Sequence, residues 1–195
     1  MRAYKDFIVS PVGERYNNSK KVGDKNLILN TDIYNHQFVN RLAKVIATPL
    51  LFQSPINVGD EVIVHHNVFR RWNDVKGRER NSRSYFKEDK YLISEDQIYL
   101  YKKDNWKAMP NYSFIKPIQS DNKFSFNKEK DLVGVIKYSD GVFDVNDLVG
   151  YRPNIECEDF INGERLYRVM NKFITIKYEY QGNEEEYNPS WSQSG

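Results

Sequence analysis

Histidines, a cysteine and paired carboxylates are where a reactive centre would be sought in this 195-residue sequence. His65 and His66 are adjacent, and neighbours in a strand face opposite ways, so they are not expected to share a metal ion. His36 is remote from both, and the chain has neither Cys-x-x-Cys nor His-x-x-x-His spacing, so no zinc site is expected. Cys157 lies between Glu156 and Glu158, whose carboxylates disfavour a thiolate and leave the thiol inert. Asp60-Glu61 and Glu95-Asp96 fall at turns, where acidic residues are common for conformational reasons. Gly13 and Gly23 are far apart and no Gly-Lys-Ser/Thr follows them, which excludes a phosphate-binding loop of that kind. The expectation is a protein that is not an enzyme and carries no metal or cofactor.

Two other patterns could act by binding. Leu27-Ile28-Leu29 is an aliphatic triplet between the polar stretch Glu14–Asn26 and Asn30-Thr31-Asp32. It reads either as a short core strand or as a foothold for a partner's apolar groove. Burying each side chain would contribute about 1.5–3 kcal/mol, and ordering the loop would take back much of that. The second pattern is Arg70–Arg83, with six Arg and Lys against two acids and Trp72 among them. Basic residues around an aromatic can hold nucleic acid by phosphate contact and stacking. Here the expected reading is a solvated insertion, with nucleic acid an unlikely partner.

The elements around these patterns are short strands. Phe7-Ile8-Val9, Leu42–Ala47, Glu61–Val64, Tyr91–Ile93 and Ile98–Tyr101 have the apolar density and β-branched content of strands, and no window sustains a helical period. The fold class expected is all-β. The second half repeats the plan. Ser113–Ile118 echoes Asp6–Val12, and Gly134-Val135-Ile136 echoes Lys44-Val45-Ile46. Val145–Val149 echoes Val58–Val62, while Leu166–Val169 with Ile174–Ile176 echoes Tyr91–Ile93 with Ile98–Leu100. Two related barrels follow, at 1–104 and 111–181, joined near Met109-Pro110-Asn111. An acidic, disordered tail is expected over 182–195. Charge divides likewise: residues 1–110 hold 19 Lys and Arg against 13 Asp and Glu, residues 111–195 hold 10 against 14. A single cysteine rules out an intrachain disulfide. Met1–Asp6 has no apolar signal region, and no stretch reaches the roughly 20 apolar residues of a membrane span. No membrane partner and a cytoplasmic location are expected.

The first half resembles the GroES co-chaperonin family. The resemblance rests on strand Phe7-Ile8-Val9, the polar loop of about 13–32 with its aliphatic triplet, and Lys44-Val45-Ile46. It continues through Val58-Gly59-Asp60-Glu61-Val62-Ile63-Val64 and the closing Tyr91–Leu100. It covers about residues 4–103 and, in degenerate form, 112–178. The chain departs from the family in three places. The stretch Pro49–Asn57, where the family has its roof hairpin, is short; residues of about 65–90 are an insertion; and the second loop, Gln119–Asp131, offers only Phe124 and Phe126.

The resemblance implies two tandem GroES-like β-barrels, the first with a mobile loop. Leu27, Ile28 and Leu29 would contact a GroEL-type chaperonin ring and cap its chamber over an unfolded client protein. The subunits would form a homo-heptamer through edge strands corresponding to Phe7, Ile8 and Val9 and to Ile98, Tyr99 and Leu100. Composition and divergence fit a bacteriophage-encoded version acting in the host cytoplasm. The rival reading is a virion or assembly protein that reuses the barrel without touching a chaperonin.

Overall fold

The computed structural model describes residues 3–17, 19–28, 33, 35, 38–120, 128–179, 182 and 187. It is all-β, with 52% of residues in strands and 4% helical. Contacts divide the chain into two compact units, Met1–Trp106 and Lys107–Gly195.

In the first unit the main strands are β1 (Phe7–Pro11), β4 (Leu42–Ala47), β5 (Glu61–Val64), β8 (Tyr85–Lys87), β9 (Lys90–Ile93) and β10 (Ile98–Lys102). Between them lie two hairpins, β2 (Ser19–Val22) with β3 (Lys25–Ile28) and β6 (Arg71–Asn73) with β7 (Glu79–Asn81). β11 (Trp106–Ala108) falls at the junction of the units. The sheet order is β11-β10-β5-β4-β1-β9-β8.

The second unit has β12 (Tyr112–Gln119), β13 (Glu129–Ser139), β14 (Leu148–Tyr151), β15 (Cys157–Ile161), β16 (Glu164–Met170) and β17 (Ile174–Tyr178). Its order is β15-β16-β12-β13-β14-β17. Read from the other edge, β17-β14-β13-β12-β16-β15 matches β10-β5-β4-β1-β9-β8 strand for strand. Among the described residues each sheet is open, so the closed barrels expected from the sequence are not formed by strand pairing.

The repetition extends to single hydrogen bonds. Val45 N donates to Asp60 O at 2.9 Å and Gly59 N to Val45 O at 2.8 Å; Ile136 N donates to Asp147 O at 2.9 Å and Asn146 N to Ile136 O at 2.8 Å. Gly59 and Asn146 hold the same turn position with φ of +95° and +75°. Glycine takes that backbone without strain, and asparagine tolerates it better than most residues. A 3-10 turn precedes the last strand in each unit, at Glu95–Gln97 and Asn171–Phe173.

Pairing corrects one of the sequence echoes by one residue and fixes the phase of another. Val9 pairs with Val45 and Ile115 with Ile136, with a bulge just before Val9 and just before Ile115. Phe114 therefore corresponds to Ile8, not Phe7, and Ile136 to Val45, not Ile46. A one-residue slip normally exchanges the buried and exposed faces. Here Phe7, Ile8 and Val9 are all buried, as are Phe114 and Ile115, so no alternation marked the register.

The cores are aliphatic and aromatic. Phe7, Val9, Val45, Val62, Phe69, Tyr91 and Leu100 are buried in the first unit. Ile115, Ile136, Val149, Tyr151 and Val169 cluster in the second. The pairs Pro11–Ala43 and Pro117–Gly134 are equivalent positions. A Cβ at Gly134 would lie 2.5 Å from Lys116 O and 2.6 Å from Ile115 Cγ2. Gly134→Ala is therefore expected to cost about 1–3 kcal/mol by overpacking. It should be read as lost amide-exchange protection in β12 and β13 with the first unit unchanged; undiminished protection would contradict this close approach.

Candidate functional site

The triplet-bearing segment leaves the first sheet after β1 and returns at β4, and its base is closed by a ladder of contacts. Val12 N donates to Leu42 O at 3.0 Å, Asn40 N to Arg15 O at 3.0 Å, and Asn17 N to Phe38 O at 2.7 Å. Tyr16 bridges Val39. Asn40 is buried, and its amide Nδ2 donates to Val12 O and Glu14 O, both at 2.8 Å. Its Oδ1 accepts the Leu42 amide at 2.9 Å, so one side chain locks both sides of the neck.

Above the neck the segment forms the β2–β3 hairpin, turning at Gly23 with φ of +61°. Register pairs Lys20 with Leu27 and Val22 with Lys25, which puts Val22, Lys25 and Leu27 on one face. Val22 and Leu27 are 58% and 56% exposed, so the core-strand reading does not hold for Leu27. Ile28 pairs with Ser19 at the end of β3. Leu29 lies outside the described residues, as do His36, Phe124 and Phe126.

The insertion is what the neck rests on. Val68 and Phe69 are fully buried, and the Phe69 ring meets Tyr91 edge-on at 4.8 Å. Arg15 donates from Nε and Nη2 to Phe69 O at 3.1 and 2.9 Å and from Nη1 to Asn81 Oδ1 at 2.8 Å. Its guanidinium also lies over the Tyr91 ring at 5.5 Å. The Tyr16 hydroxyl accepts the Arg71 amide at 2.8 Å and donates to Ile33 O at 3.1 Å, and Arg71 covers the Tyr16 ring at 4.8 Å. Ser82 Oγ donates to Val68 O at 2.5 Å. Most of Arg70–Arg83 is exposed, as expected of a solvated insertion, but residues 65–90 are not solvated throughout. Their first turn is core, and the inner face of β6–β7 is a wall of the neck. Sequence reasoning missed Arg15, Tyr16 and Asn40, because their partners are mostly distant along the chain.

The groups weighed for chemistry have other duties. The His65 and His66 rings stack at 4.1 Å and 30°, which corrects the expectation that they point apart. β5 ends at Val64, and the chain turns there, with Val68 N donating to His65 O at 2.9 Å. Among the described residues no three His, Cys, Asp or Glu side chains are grouped to hold a metal ion. Asp60 Oδ2 accepts the Asn57 amide at 2.8 Å, and Glu61 pairs with Lys102 at 3.4 Å. Glu95 and Asp96 border a concavity of about 470 Å³ with Lys5, Asp6, Leu51, Phe52 and Ser94. Cys157 is exposed at the start of β15.

In the second unit the strand pair β12–β13 runs on to Gln119–Glu129, and Ser120 N donates to Lys128 O at 2.9 Å. The long excursion of the first unit has no counterpart there. Arg165 instead joins Glu129 at 2.5 Å, with Glu158 and Tyr167 as further partners. Burial, reinforced by Glu129, pushes the Tyr167 phenol well above its ordinary range, so it stays protonated and neutral. Most of the expected acidic tail lies outside the described residues, but the Tyr187 amide donates to Pro117 O at 2.8 Å.

The strands expected at a subunit edge are interior ones. β1 lies between β4 and β9, and β10 between β5 and β11. Phe7, Ile8, Val9, Ile98, Tyr99 and Leu100 are buried there. Among the described residues β17, the counterpart of β10, is bordered on one side only, with Ile176 49% and Tyr178 40% exposed. No helix among the described residues is long and apolar enough to cross a membrane.

Comparison with known proteins leaves the site to be judged on its geometry. No family model matches the chain, and no curated protein matches it.

Removing the Arg15 guanidinium would take two donors from a part-buried carbonyl and a third from Asn81. Arg15→Ala is expected to cost about 1–3 kcal/mol. It should also speed proteolysis and amide exchange across 17–38 more than elsewhere, and uniform exchange rates in that segment would contradict the clamp.

Proposed function

We propose that this protein is a co-chaperonin. It caps an ATP-driven chaperonin ring and so assists folding of a client enclosed below, with two GroES-like barrel domains in each subunit. One observation carries the reading: a hairpin with Val22 and Leu27 exposed stands on a neck closed by buried Asn40 and by Arg15. A core strand would bury Leu27, and a spacer loop would not need a buried asparagine and a three-bond arginine at its base.

The energetics suit a reversible lid. One hairpin offers Leu27 and its neighbours to a groove, which gives weak binding after ordering costs. Several identical subunits raise the overall avidity by orders of magnitude, because later contacts form at an effective concentration of about mM. Nucleotide belongs to the ring. Subunit pairing through a terminal strand falls to β17, which has the free edge that β10 lacks, and edge pairing of this kind is β-augmentation.

The test is co-sedimentation with a chaperonin ring in ADP or ATP. Leu27→Asp, Ile28→Asp and Leu29→Asp together should reduce capture at least tenfold while the melting temperature moves by no more than about 2 °C, as expected if the triplet is a foothold and not core. Wild-type protein that ignores the ring would sink the proposal, and a triple variant that fails to fold would restore the core-strand reading. Ile176→Asp should lower the assembled mass measured by light scattering without unfolding the chain. An unchanged mass would remove β17 from the subunit contact.

A further inference from the structure

The outer face of the β6–β7 hairpin is committed to nothing in the neck. Pairing of Arg71 with Asn81, Trp72 with Arg80 and Asn73 with Glu79 assigns the faces. Arg71 and Asn81 face inward, onto Tyr16 and Arg15. Trp72 and Arg80 are therefore outward, and by alternation Asp74 and Arg78 share their side. Trp72 is 46% exposed and the Arg80 side chain 53% exposed.

This face is built, not loose. Asp74 Oδ1 accepts the Lys76 and Arg78 amides at 2.9 and 3.0 Å, and its Oδ2 accepts Arg80 Nε at 3.0 Å. The Arg78 amide is the chief reason the Asp74 carboxyl titrates below its ordinary range. Trp72 Nε1 donates to Asn81 O at 3.0 Å, which pins the indole across the hairpin. A half-exposed indole with its only polar atom satisfied leaves a π surface in water. Arg80 stands opposite it in the register and Arg78 on the same side by alternation, while Lys76 in the turn and Arg83 just after β7 are exposed further along the hairpin. Asp74 and Glu79, the acids of this stretch, are engaged with Arg80 and Arg71.

We propose that this face binds single-stranded nucleic acid, with Trp72 stacking on a base and Lys76, Arg78, Arg80 and Arg83 contacting phosphates. A pinned aromatic among cations is the arrangement such binding uses, because every base has a π face and the backbone supplies charge. A duplex hides its base faces and would engage the cations alone. The proposal is independent of the chaperonin reading, since it concerns the side of the hairpin away from the neck.

The test is fluorescence anisotropy of a labelled 20-nucleotide oligothymidine with the full chain. Binding should weaken with salt at a logarithmic slope of about −2 to −3, as expected for three or four phosphate contacts at roughly −0.7 each. Trp72→Ala should weaken binding about tenfold or more, and Trp72→Phe should restore most of it. Lys76→Glu, Arg78→Glu and Arg83→Glu together, which leave Arg80 with Asp74 and Arg71 with Glu79, should abolish it. Trp72→Ala binding as tightly as wild type, or a duplex or heparin competing as well as the single strand, would overturn the proposal in favour of a generic polyanion site. Loss of chaperonin capture by the charge-reversed variant, without oligonucleotide binding by wild type, would overturn it in favour of an acidic protein surface.

Discussion

The first unit is organised around closing a long polar excursion. Between Pro11 and Leu42 the chain leaves its sheet and must come back in register beside itself. Closing such a loop costs conformational entropy that its own polar residues cannot recover by burial. The recovery comes from the neck: Asn40 satisfies three backbone groups at once, and Arg15 ties the exit strand to Phe69 and Asn81. Phe69 can accept that role because its ring is anchored against Tyr91 in the core. Loop and insertion thus form one device, although 54 residues separate Arg15 from Phe69.

The second unit shows what the same topology does without the excursion. Its β12–β13 pair continues where the first unit opens, and no segment between β14 and β15 matches the length of 65–84. Tyr167 occupies the place of Tyr91, since each pairs on the neighbouring strand with an equivalent residue, Ile115 or Val9. Each tyrosine carries an arginine over its ring, at 5.5 Å for Arg15 and 4.8 Å for Arg165. In one unit the arginine comes from the neck and holds the insertion. In the other it comes from the tyrosine's own strand, two residues before it, and is held by Glu129 and Glu158. One shelf of the sheet therefore serves two purposes, and the excursion and insertion occur together or not at all.

What could be read from the sequence follows the range of the forces involved. Strands such as Leu42–Ala47 and Glu61–Val64 were legible because period and β-branching are local, and the turn at Asp60 was legible twice because Asp147 repeats it. Register at Phe7–Val9 was not, because a strand buried on both faces has no polar phase to read. The insertion misled for a different reason. Val68 and Phe69 are two core residues beside a run of charge, and composition averaged over the run hides them. The His65–His66 stack was missed because the pair was judged by strand alternation, although the strand ends at Val64 and the chain turns there. Arg15 was invisible: a lone arginine near a proline gives no sign of a carbonyl far along the chain.

The neck also bears on how strongly the hairpin can bind anything. A free polar loop that orders on contact loses conformational freedom at every fixed residue, about 1–2 kcal/mol each for backbone alone. The ladder at residues 12–17 and 38–42 and the β2–β3 pairing restrict both ends and the middle of the excursion before any partner arrives. That lowers the ordering cost of contact at Leu27, which favours affinity per site. It also narrows the directions from which a groove can approach, because the hairpin hangs from two fixed strands. For an assembly of identical subunits this restriction helps further: footholds held at set positions match a symmetric ring better than footholds on slack tethers, and multivalent gain depends on that match. On the co-chaperonin proposal, the clamp at Arg15 would therefore belong to the binding apparatus as much as the aliphatic residues it supports.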